Sequence, residues 1–131
     1  MKDFVSFETA KKLKEKGFKE QCLAYYTKDS NFYYNTSYGS DVENDFKSFN
    51  SRPNHICGKR IDAPTISQVL KWLREEKRLH IAIDVWGRTW GYDIIELTSD
   101  NSLRWTAYRE DIKSYEDAAL DGIEYAIDNL I

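Results

Sequence analysis

Apolar residues recur along this chain with two periods, and the alternation of those periods predicts the elements. Ser6 is placed to cap a first helix in which Phe7, Ala10 and Leu13 share one side, and Gly17 stands where a left-handed residue ends it. From Cys22 the period changes to two. Leu23, Tyr25 and Thr27 alternate with Cys22, Ala24 and Tyr26, and a Lys28-Asp29-Ser30-Asn31 turn leads into Phe32-Tyr33-Tyr34-Asn35-Thr36, which predicts a hairpin. Residues 39–63 follow neither period, a connection long enough to be functional, mobile or in possession of structure of its own.

In APTISQVLKWLREE, residues 63–76, Thr65 and Gln68 have the spacing of a capping box, and Pro64 stands just outside it. Ile66, Val69, Leu70 and Leu73 then recur at helical spacing, so one face of this second helix is core. Alternation resumes at Leu79, Ile81, Ile83 and Val85 against His80, Ala82, Asp84 and Trp86. Gly87-Arg88 turns the chain into a strand over residues 89–97. After Ser99-Asp100-Asn101-Ser102 a further strand, 103–108, puts Leu103, Trp105 and Ala107 on one face and Arg104, Thr106 and Tyr108 on the other. Ser114 and Asp117 open a final helix whose stripe runs from Tyr115 through Ala118, Ala119, Gly122, Ile123, Ala126 and Ile127 to Leu130. Its small residues permit close approach to a sheet, which offsets the propensity cost of Gly122, about 1 kcal/mol. The expectation is an α+β fold of order αββαβββα, in which an antiparallel hairpin and a three-stranded meander pack against about three helices.

The 131 residues suit a single domain, 1–131, burying roughly two-thirds of its unfolded surface without help from metal or disulfide. Aromatic residues make up 15% of the chain, too many for a disordered tail. No run of about 18 apolar residues spans a bilayer, and the start lacks the apolar stretch of a secretion signal, so the cytoplasm is the expected compartment and no membrane is expected as a partner. Cys22 and Cys57 make no disulfide framework, and reduced thiols are expected. The net charge of −3 conceals an asymmetry: residues 1–60 carry 11 basic and 8 acidic side chains, residues 61–131 carry 8 and 14. The acidic end argues against wrapping around nucleic acid there.

Candidate chemistry is sparse. His55 and Cys57, with Cys22 and His80, offer at best one close ligand pair, short of the two that structural zinc sites show. No nucleophile elbow or phosphate loop occurs, and Cys57 with His80 and Asp84 is a trio any chain of this size supplies. The expectation is therefore a protein that is not an enzyme, with no catalytic residue, no metal and no cofactor.

Two binding classes remain. Residues 46–61 hold Lys47, Arg52, Lys59 and Arg60 with Phe46 and Phe49 interleaved, a phosphate-contact and stacking pattern that makes nucleic acid the alternative partner. Aromatics favour a protein partner or self-association: Tyr33 lies in a tyrosine-rich hairpin, Trp86 and Trp90 flank a turn, and Trp72 falls about 110° from the centre of its helix's apolar stripe. The expected binding residues are thus Trp72, Trp86, Trp90, Tyr33, Arg52, Lys59 and Arg60. The outer face of the second helix, with Gln68, Lys71, Arg74 and Glu75, is mixed in charge and faces water.

SFETAKKLKEKGF near the start, the cysteine after it, APTISQVLKWLREE and the acidic YEDAALDGIEYAI together resemble a group of small uncharacterised proteins of gut bacteria and their phages or prophages. The resemblance covers most of the chain outside residues 39–63 and implies an origin in a mobile element. It brings no activity and no site residues, because its motifs are helix punctuation and core.

Overall fold

A computed structural model describes residues 3–34 and 60–131. The chain divides into two compact units, the first within Asp3–Thr65 and the second Ile66–Ile131. The described residues form three helices and two three-stranded antiparallel sheets in the order αβββαβββα, an α+β fold with one strand more than the periodicity predicts.

In the first unit, α1 spans Phe7–Glu15, and the Ser6 hydroxyl accepts from the backbone N–H of Thr9 at 3.2 Å. This supplies one of the helix's unpaired donors. Gly17, at φ +97°, ends the element. Strands β1 (Ala24–Tyr26), β2 (Phe32–Tyr34) and β3 (Ile61–Ala63) form a sheet of order β2-β1-β3, with Tyr25 paired to Tyr33 on one side and to Asp62 on the other. β3 is the added strand. Three residues are too few to show a period, so only pairing with β1 defines it. Phe4, Ala24 and Ala63 form a small core closed by Tyr26 and Phe32, and Phe32 meets both Phe4 and Tyr26 edge to face at 5.1 and 5.4 Å. The Tyr26 hydroxyl donates to the carbonyl of Val5 at 2.6 Å, giving this half-buried phenol a polar partner.

The second unit begins with α2 (Ile66–Glu76), whose Ile66, Val69, Trp72 and Leu73 are buried. Strands β4 (Leu79–Trp86), β5 (Thr89–Leu97) and β6 (Leu103–Ile112) follow as a meander, and α3 (Tyr115–Asn129) closes it. Trp86 pairs with Thr89 across a two-residue turn in which Gly87 takes φ +68°. A primed hairpin turn demands that conformation at its first central position, and glycine supplies it without a Cβ clash. At the other end, Asn101 takes φ +64°, and the Asp100 carboxylate accepts from the Ser102 N–H at 3.1 Å and from the Thr98 and Ser102 hydroxyls. These bonds hold Asp100 well below the usual carboxylate range, at about 2.

Helix α3 starts where Ser114 accepts from the N–H of Asp117 at 3.1 Å and lies on β4 and β5. Its Ala118, Ala119, Gly122, Ile123, Ala126 and Ile127 are buried. A Cβ on Gly122 would lie 2.9 Å from Ile81 Cγ2 and 3.3 Å from the Tyr92 ring, so the glycine is what permits this closeness. Ile123 and Ile127 complete the layer, each burial contributing roughly 1.5–3 kcal/mol.

Candidate interaction surface

Strand geometry sends alternate side chains to opposite faces, and pairing carries that parity across a sheet. In the second unit Ile81 pairs with Ile94 and Ile83 with Tyr92, and these residues point toward α3. The opposite face therefore carries His80, Ala82, Asp84 and Trp86 from β4 and Asp93, Ile95 and Leu97 from β5.

β6 departs from simple alternation. Ile94 pairs with Ala107 but Ile95 with Trp105, so Thr106 is an extra residue, and the register shifts again between Trp90 and Tyr92. A bulge inverts the parity beyond it. By register Trp105, opposite Ile95, and Tyr108, opposite Asp93, consequently share the face away from α3, with Tyr108 also bordering the cavity beside α3, while Ala107 points toward the helix. This corrects the expected split of Trp105 and Tyr108 between faces: plain alternation does not allow for the inserted residue. Leu103, paired with Leu97, joins the same face. Leu103, Trp105 and Tyr108 are 59%, 63% and 72% exposed, large apolar side chains that the unit leaves in solvent.

The three expected tryptophans of the second unit do not form one patch. Trp72 is 5% exposed, with Lys77 Nζ 5.4 Å from its ring centroid, so the helix-boundary position is a core position and the ring presents no surface. Trp86 and Trp90 are both half-buried but lie on opposite faces of the sheet. Trp86 lies over Gly91, where a Cβ would come within 2.7 Å of the indole, whereas Trp90 meets Tyr115 edge to face at 5.6 Å. In the first unit Tyr33 is 48% exposed and stacks on Tyr25 at 5.7 Å. Arg60 is buried, its guanidinium 5.2 Å from the Tyr25 ring, rather than an exposed phosphate contact. Arg52 and Lys59 lie outside the described residues, as do Phe46, Phe49, His55 and Cys57.

Cys22 is fully buried, and its thiol donates to the Glu20 carbonyl at 3.4 Å. Burial pushes that thiol far above its ordinary range, and the carboxylates of Asp62 and Glu20 push it the same way, so it is held as the unreactive protonated form. Burial also raises Asp62, against the opposing pull of Arg60 and Lys14. Between α3 and β6 a polar cavity of about 340 Å3 contains Asp121, Glu124 and Asp128. There Arg109 Nη1 donates to both carboxylate oxygens of Asp121 at 2.9 Å. Among the described residues no group of three or more histidines, cysteines and carboxylates is placed to hold a metal ion, and no helix is long and apolar enough to cross a membrane.

The fold and this face define an α+β protein whose second sheet carries exposed aromatic side chains. No known family, curated protein or solved structure matches the chain.

Proposed function

We propose that this chain is a non-enzymatic protein-interaction module, an accessory protein of a mobile element as the resemblance implies, that binds another protein through the face of its second sheet turned away from α3. The observation that carries this reading is the joint exposure of Leu103, Trp105 and Tyr108 on one face. Contiguous exposed apolar surface costs solvation free energy that a partner relieves, and tyrosine and tryptophan are the side chains that dominate protein interfaces. Two register shifts make β6 a poor template for strand addition, which favours docking on the face over pairing along the edge.

The test places a photo-crosslinking benzoylphenylalanine at position 108 and, as a control, at exposed position 117 on α3 of the full chain in its native cells. A discrete adduct from position 108, absent from 117 and lost when Trp105→Thr is added, is the expected result. No adduct from 108, or the same adducts from both positions, overturns the reading.

A second reading, nucleic-acid binding, is favoured by the exposed Tyr33 stacked on Tyr25, since a base adds to such a pair without sequence preference. Absence of salt-dependent binding to single-stranded DNA and RNA removes it.

A further inference from the structure

At the beginning of β4 the uncovered face runs into a cavity of about 260 Å3 lined by Arg74, Arg78, His80, Ile95, Leu97 and Leu103. Its floor is aliphatic, built where Ile95 pairs with His80 and Leu97 with Leu103. The volume is just below the roughly 300–1,000 Å3 of pockets that enclose small molecules, and it suits one inserted side chain.

The rim is cationic. Arg78 takes φ +56° between α2 and β4, and its guanidinium is held in place. Nε donates to the Leu97 carbonyl at 3.1 Å, while Nη2 donates to the Thr98 carbonyl at 3.5 Å and to Asn101 Oδ1 at 3.4 Å. All three acceptors are neutral, so these bonds orient the positive charge without cancelling it. Arg74 and His80 are exposed beside it, and among the described residues no acidic side chain lines the cavity.

We propose that this cavity takes the aliphatic or aromatic side chain of a partner-protein segment whose neighbouring residues are acidic. The floor receives the anchor, and Arg74 and Arg78 face the carboxylates. The inference rests on the interaction reading above and names the chemistry of the partner. An apolar anchor beside carboxylates matches an apolar floor beside guanidiniums in both shape and sign, and a positioned guanidinium forms charge-assisted bonds to carboxylates with little further ordering. A phosphate backbone would use the rim but leave the aliphatic floor empty.

Fluorescence anisotropy with the full chain tests this, using a labelled short peptide that carries one leucine between pairs of glutamates in a glycine-serine frame. Two further peptides replace the leucine by serine or the glutamates by lysines, and decanoate is titrated separately. The glutamate-leucine peptide is expected to bind at least about tenfold more tightly than the other two, to weaken with added salt, and to lose about tenfold in affinity with Arg74→Glu, an exposed position whose change leaves the fold intact. Leu103→Asp is expected to abolish binding by filling the apolar floor with charge. Equal affinity for the glutamate and lysine peptides, no binding up to about 1 mM, or decanoate binding without peptide binding overturns the inference. Crosslinking from position 108, outside the cavity, is read separately, so an adduct there sustains the broader interaction reading even where the peptide result fails.

Discussion

Cys22 and Asp62 show how burial decides the chemistry of single residues in the first unit. A thiol reacts through its thiolate, and burial together with two nearby carboxylates disfavours that form at Cys22. Peptide mapping after iodoacetamide treatment at mildly alkaline pH should find Cys22 unmodified in the native protein and alkylated once denaturant is added; alkylation of the native protein at Cys22 would contradict the burial argument. Asp62 is a carboxyl whose burial favours its neutral form. Its folded-state value lies above the ordinary 3.8, so between the two values the folded protein binds more protons than the unfolded one. The associated stability is complete below 3.8 and lost as the pH rises through the raised value. Urea midpoints of the wild type should therefore fall relative to those of Asp62→Asn as the pH is raised from about 4 toward neutrality. A difference that stays flat over that range removes Asp62 as the titrating group.

At the scale of elements, close approach is set by two glycines of different tolerance. A Cβ at position 91 would lie 2.5 Å from the Arg109 carbonyl oxygen and 2.7 Å from the Trp86 ring, and the backbone contact cannot be relieved by a rotamer change. Gly91→Ala is expected to cost about 1–3 kcal/mol. Gly122→Ala meets only side chains, Ile81 and Tyr92, and regains about 1 kcal/mol of helix propensity, so its net loss should be the smaller in urea denaturation. The reverse order would show that α3 cannot shift on the sheet. Much of this architecture is legible in the sequence because its signals are local: Ser6 and Ser114 as caps, Gly17 as a left-handed position, Gly87-Arg88 as a turn, the helical stripe of α3, and the alternation of β4. What escapes is nonlocal. β3 has no period of its own and is defined by its partner β1. The bulge at Thr106, which brings Trp105 and Tyr108 to one face, is a property of register against β5 and leaves no mark in the order of residues in β6. Trp72 was legible as a boundary position, but helical angle alone does not say how wide the covered stripe is.

For the whole molecule, the question is whether the outward aromatics serve the fold or something beyond it. A core residue removed from a packed layer leaves a cavity and costs about 2–5 kcal/mol, whereas a substitution in solvent usually changes stability by less than about 0.5 kcal/mol. Trp105 and Tyr108, 63% and 72% exposed, belong to the second class by their surroundings, and threonine in their place keeps the β propensity of the strand. Trp105→Thr/Tyr108→Thr is therefore expected to shift unfolding free energy by no more than about 1 kcal/mol in urea denaturation, while Trp105→Thr alone abolishes the adduct from the crosslinker at position 108. Ile94→Ala, in the buried layer beneath the same sheet, should cost about 2–5 kcal/mol. Such a contrast separates surface kept for a partner from surface needed to fold. A loss of stability in the double threonine variant comparable to that of Ile94→Ala would instead make the two aromatics part of the fold's own support, and the case for a docking face on the second sheet would lose its basis.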